Sequence, residues 1–170
     1  MRILSLLFLA SSLAVAQQSA APPACSLSQQ KQFDFWLGDW DLTSPSDKPG
    51  EVVHSANSIK RILGGCIIQE NFQTGDTSLI GTSVSVFEPV VGKWKQTWVD
   101  NQGSYLDFTG ELKDGQMILS REATRPDGTK IMQRMVWKNI TANELDWSWE
   151  RSKDSGKTWE VVWPIHYKRK

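Results

Sequence analysis

The sequence predicts an all-β fold: a single up-and-down antiparallel β-barrel of about ten strands, with a short N-terminal helix closing one end. Three observations carry that expectation. Short runs of alternating apolar and polar residues recur between turn signals at intervals of roughly 8–12 residues, the spacing of sandwiches and barrels. No run after Leu37 repeats its apolar residues at helical spacing. A meander this long gains from closure, because closing the sheet removes its unpaired edges.

The chain opens with a signal-peptide pattern over residues 1–16. Arg2 supplies the charge, residues 3–13 the apolar core, and Ala14-Val15-Ala16 the small-residue cleavage site. The apolar run is shorter than the roughly 20 residues a spanning helix needs. Pro22-Pro23-Ala24 precedes Cys25 instead of a lipoprotein signal, so no membrane anchor is expected there. A loose leader over residues 17–25 then gives way to one barrel domain over residues 26–170. The expected location is secreted or periplasmic.

Ser26 or Ser28 suits the N-cap of a short helix over residues 29–37. Phe33, Trp36 and Leu37 stand three and four residues apart and share a face of it. Gly38 stops it, since glycine takes a positive φ at a helix C-terminus. Residues 40–43 read as the first strand, with Trp40 and Leu42 on one side. Further strands are expected over residues 51–63, 66–72, 79–87, 94–100, 105–112, 116–124, 130–138, 144–151 and 159–168. Gly64-Gly65, Asn101-Gln102-Gly103 and Pro126-Asp127-Gly128 mark turns between them, and Asp114-Gly115 is a strong hairpin signal.

Strand alternation separates inner from outer residues. Leu145, Trp147, Trp149 and Arg151 form one face and are expected inside. Lys95 faces water, which puts Gln96 and Trp98 inside. In residues 130–138 the set with Gln133 and the set with Arg134 are equally mixed, and the pattern does not choose. The last strand is also mixed, with Trp163, Ile165 and Tyr167 opposed to Val162, Pro164 and His166.

Nineteen basic residues, one of them Arg2 in the signal peptide, face 19 acidic ones. That balance gives no basic face for nucleic acid or an anionic membrane. In an oxidising compartment Cys25 and Cys66 suit one disulfide; two free thiols are the alternative. Two cysteines and two scattered histidines make poor metal-site material. No Gly-x-Ser-x-Gly, phosphate loop or dinucleotide fingerprint occurs.

Gly38-Asp39-Trp40 resembles the Gly-x-Trp signature at the start of lipocalin-like (calycin) barrels. The fuller string Phe33-Asp34-Phe35-Trp36-Leu37-Gly38-Asp39-Trp40 is more specific. With Gly65-Cys66, Gln96-Thr97-Trp98-Val99-Asp100 and Gly156-Lys157-Thr158-Trp159 it resembles a family of uncharacterised bacterial exported proteins over nearly the whole mature chain. The resemblance implies a barrel, no established activity, structural roles for Trp36 and Trp40, and an arginine stacked on Trp40. Nitrobindin-type haem barrels are a more distant comparison; there Gly-x-Gly follows the tryptophan, whereas Asp41-Leu42-Thr43 follows it here. Those barrels take their haem ligand from a late strand, which makes His166 the haem candidate. Ser152, Asp154, Gly156, Thr158 and Trp159 match the Asp-box of sialidase propellers; a single copy is a turn device and cannot make a propeller.

Nine tryptophans, with inward polar residues among them, point to an aromatic-lined cavity for a hydrophobic or amphipathic small molecule. The ligand-binding candidates are Glu70, Gln96, Trp98, Gln133, Trp147, Trp149 and Arg151. The structural candidates are Trp36, Gly38, Trp40, Cys25 and Cys66. Three alternatives accompany the carrier reading: an enzyme pairing Glu70 with Asp100 or Asp107, a haem barrel through His166, and a structural protein whose interior is packed shut. Apart from haem, no cofactor or metal is expected.

Overall fold

The computed structural model describes residues 25–170. The expected signal peptide and most of the leader lie outside the described residues. Ten strands follow in order: β1 Gly38–Pro45, β2 Val52–Ile62, β3 Ile67–Thr74, β4 Ile80–Glu88, β5 Lys93–Asp100, β6 Tyr105–Lys113, β7 Gln116–Thr124, β8 Lys130–Lys138, β9 Glu144–Ser152 and β10 Glu160–Arg169. Each pairs with its neighbour in sequence, and β10 returns to β1 to close the barrel. That last seam sets Trp40 opposite Arg169 and Leu42 opposite Tyr167. All ten strands fall where alternation and turn residues predict them, within a residue or two at most ends.

The expected helix over residues 29–37 is instead two short 3-10 turns, Ser28–Lys31 and Asp34–Trp36. A 3-10 turn repeats every three residues, so it suits the Phe33–Trp36 spacing and puts both rings on the barrel side. Both are at most 1% exposed. Neither Ser26 nor Ser28 caps the segment. The Gln30 side chain accepts a hydrogen bond from the Leu27 N–H at 2.8 Å, and that contact starts the first turn.

This plug is held from several directions. The Cys25–Cys66 disulfide ties it to the start of β3. Arg61 of β2 donates to the Gly65 carbonyl at 2.6 Å and the Gln30 carbonyl at 2.8 Å, and pairs with Asp34. Arg169 donates to the Leu37 carbonyl at 2.7 Å. Its guanidinium lies over the Trp40 ring, 4.1 Å from the centroid, and is the stacking arginine that the sequence left unassigned. Gly38, at φ +122°, is placed so that a Cβ would collide with that guanidinium.

The inner face follows the pleat. On β3 it carries Ile68, Glu70, Phe72 and Thr74, all buried. On β8 the inner set is Ile131, Gln133, Met135 and Trp137, which resolves the face that the sequence left open. On β10 the register shifts between Val161 and Trp163. That bulge turns Trp163, Ile165 and Tyr167 inward and leaves Val161 exposed. A two-residue repeat cannot be followed through a bulge, so the sequence could not choose.

The outside of β9 is unusual in being covered. Ser148, Glu150 and Ser152 are buried although they point away from the interior. The β9–β10 loop folds back over them. Its Asp154 carboxylate accepts from the Thr158 N–H at 2.9 Å, and Gly156 N–H donates to Ser152 Oγ at 2.9 Å. Trp159 then covers Arg134, 4.0 Å from ring to guanidinium, and Arg134 pairs with Glu150 at 2.6 Å. The Asp-box is a turn that covers this face.

Candidate functional site

The interior is built in layers from the plug to the opposite end, where the barrel opens. Strand direction sets the order. β5, for example, runs from Trp94 beside the plug through Gln96 and Trp98 to Asp100 at the mouth.

The layer against the plug is filled by rings. Phe33 meets Trp94 edge-on at 4.9 Å and Trp137 at 5.2 Å, and Trp36 meets Trp137 at 5.1 Å. Trp40 Nε1 donates to the Trp36 carbonyl at 2.8 Å, and Trp94 Nε1 to Gln32 Oε1 at 3.1 Å. Edge-on contacts of this kind add about 0.5–1.5 kcal/mol per pair beyond the area they bury.

The next layer is polar. Asn57 Nδ2 donates to Glu70 Oε1 at 2.7 Å and is 3.1 Å from Tyr167 Oη. Ser83 Oγ donates to Glu70 Oε2 at 2.7 Å. Gln96 Nε2 donates to Ser85 Oγ at 2.9 Å. Burial pushes the Glu70 carboxyl up to about 7, against the opposing pull of its bonds from Ser83 and Asn57. Burial likewise raises the Tyr167 phenol, and the neighbouring Glu70 charge adds to it.

Above this floor lies a cavity of about 300 Å³. Its walls are Phe72, Trp98, Phe108, Trp147, Trp149 and Trp163, with Glu70 and Tyr167 below and Asp100 at the mouth. The rings touch only at their edges: Trp147 to Trp163 at 5.6 Å, Phe72 to Trp163 at 5.9 Å, Phe108 to Trp149 at 5.7 Å. Gly81 makes room for Trp98; a Cβ there would run into the indole. Burial opposes ionisation of Asp100, but bonds from the Trp98 indole and the Ser104 and Gln102 amides outweigh it and hold the carboxyl below its usual range.

Of the seven ligand-binding candidates, the structure brings Glu70, Trp98, Trp147 and Trp149 together in the cavity wall. Gln96 is inward but sits nearer the plug, buried and bonded to Ser85. Gln133 and Arg151 are inward neighbours at the mouth end, outside the cavity wall. Gln133 accepts from Arg121 at 3.0 Å, and Arg151 pairs with Glu160 at 2.9 Å. Asp107 is exposed and does not share the site with Glu70. Trp163, Phe72 and Phe108 are wall residues that the sequence reading did not select. Leu106 and Phe108 alternate with exposed Tyr105 and Asp107, so the signal for Phe108 was present; for Trp163 the bulge hid it.

His166, the haem candidate, lies away from this cavity. The ring is exposed on the outside of β10, with Nδ1 2.8 Å from Asp146 Oδ1. It follows Ile165 by one residue and so points away from the interior. The residues lining the cavity include no histidine or cysteine.

Residues 28–169 match the family described as a protein of unknown function, DUF1579, and the chain belongs to that family. No curated protein matches the chain.

Proposed function

We propose that this barrel is a carrier for one small hydrophobic or amphipathic molecule, held in the aromatic cavity at the end away from the plug. The observation that supports it most is the unfilled volume itself. Protein interiors are close-packed, with few voids larger than a water molecule, and a 300 Å³ space lined by eight aromatic side chains departs from that rule. Its size and apolar lining suit a ligand of one to three rings or a short chain. The Cys25–Cys66 disulfide is consistent with an exported protein, as the signal-peptide pattern suggests.

Native mass spectrometry of the freshly purified protein tests this. A noncovalent small-molecule adduct that leaves on mild activation is expected. Bare protein, still bare after saturation with the neutral fluorophore N-phenyl-1-naphthylamine, overturns the reading.

A second reading is acid–base catalysis on a ligand in the same cavity. Glu70 and Asp100 favour it, because their surroundings move the two carboxyls in opposite directions. They stand two strands and one inner position apart, roughly 12 Å between backbones from sheet spacing and rise. A substrate would have to lie between them. Glu70→Gln should then abolish turnover without abolishing binding.

A further inference from the structure

The floor of the cavity holds an acid with no cation beside it. Glu70 is 8% exposed, so its carboxylate is largely removed from water. Among the described residues, its carboxylate bonds only the neutral side chains of Asn57 and Ser83, and no cation pairs with it. Asn57 is 2% exposed, and its Oδ1 has no donor at all. A buried carboxylate without a positive partner is costly, and so is a buried acceptor without a donor. Above both stand aromatic rings, whose faces attract cations.

Resting on the carrier reading, we infer that the ligand is a lipophilic amine whose ammonium N–H groups reach Glu70 while its apolar body lies among Trp147, Trp149 and Trp163. The groups that face Glu70 directly do not oppose this. β2, β4 and β10 face Glu70 with Asn57, Ser83 and Tyr167, which carry no positive charge. β5 adds Asp100 at the mouth, a second acid. Arg121 of β7 and Arg151 of β9 lie toward the mouth outside the cavity wall. Arg121 is held by Gln133 and the Phe108 ring, and Arg151 by Glu160. A carboxylate ligand would instead meet Glu70 and Asp100 inside the wall with no cation beside them.

Three probes on one phenylethyl frame test it: phenethylamine, ethylbenzene and 3-phenylpropionate, each competing with N-phenyl-1-naphthylamine at pH 8. Phenethylamine should bind at least tenfold more tightly than 3-phenylpropionate. Glu70→Gln should remove that preference. Glu70 has its carboxyl raised to about 7. The wild-type affinity for phenethylamine should therefore fall at least tenfold between pH 8 and pH 5.5, while ethylbenzene is unaffected. The pH series needs no variant and stands if Glu70→Gln fails to fold. Equal binding of the three probes, a preference for the carboxylate, or an amine preference that survives both Glu70→Gln and acid overturns the inference and leaves the carrier reading intact. No saturable binding by the fluorophore or any probe overturns both.

Discussion

The two ends of the barrel use the same residue types for opposite purposes. At the plug end, Phe33, Trp36, Trp94 and Trp137 meet edge to edge, and Trp40 lies under Arg169. At the mouth end, Trp98, Trp147, Trp149 and Trp163 stand around a 300 Å³ cavity, with a buried acid beneath it. Aromatic density is therefore no guide to a site. The difference lies in what the rings border: at the plug end they pack against one another and the plug, and at the mouth they surround open volume above a carboxylate that no cation pairs.

Substituting one tryptophan at each end breaks the comparison most directly. Trp40→Ala removes a ring with 0% exposure and should cost about 3–5 kcal/mol in chemical denaturation. Trp163→Ala removes a ring that already borders empty space. It should cost about 1–2 kcal/mol, near the low end for large-to-small changes, and weaken probe binding. Equal losses at both ends would erase the distinction.

The disulfide belongs to the plug end. It closes a separation of 41 residues, so Cys66→Ser should cost roughly 3–4 kcal/mol in the chain-entropy treatment. Probe affinity of the folded fraction should be unchanged, since neither cysteine reaches the cavity.

Glu70 sharpens the other side. In the folded chain its carboxyl is raised from 4.5 to about 7. Between those values the folded chain holds a proton that the unfolded chain has released. Its contribution to stability is thus fully present below about 4.5 and is lost as pH rises through about 7. Glu70→Gln should remove that slope and raise stability at pH 8 by up to about 3 kcal/mol. A lipophilic amine should do the same for the wild-type protein. Denaturation midpoints measured from pH 4 to pH 8 read both effects.

The smallest expected effect is at Gly81. Gly81→Ala pushes its Cβ into the Trp98 indole, which must tilt toward the cavity. Overpacking commonly costs about 1–3 kcal/mol, and free space nearby should keep this case at the lower limit. A shift in tryptophan emission should accompany it.

The strands were legible because the turns are explicit: Asp114-Gly115, Gly64-Gly65 and Pro126-Asp127-Gly128 punctuate an alternation that runs unbroken along most strands. That four of the seven binding candidates line the cavity follows from the same alternation. Glu70 is one of them, because an acid between Ile68 and Phe72 on an inner face has to be doing something other than packing. What stayed hidden depends on the third dimension. The bulge at Val161–Trp163 reverses a face without changing composition. Gln96 and Glu70 look alike in sequence, yet one is satisfied by Ser85 near the plug and the other borders open volume. Gln133 and Arg151 pair at the mouth with Arg121 and Glu160, partners whose adjacency only the register creates. Nothing in the string Pro164-Ile165-His166 says that Ile165 takes the inward position and leaves His166 in water.

Native mass spectrometry with N-phenyl-1-naphthylamine, comparing wild type with Met135→Trp, tests the central assignment most directly. Met135 lines the cavity, and the larger indole of a tryptophan there would intrude on the space the probe needs. The wild-type protein should carry one probe molecule at saturation, Trp40→Phe should carry it too, and Met135→Trp should carry none. Bare wild-type protein, or an adduct that survives Met135→Trp, would contradict a binding site at the mouth end of the barrel.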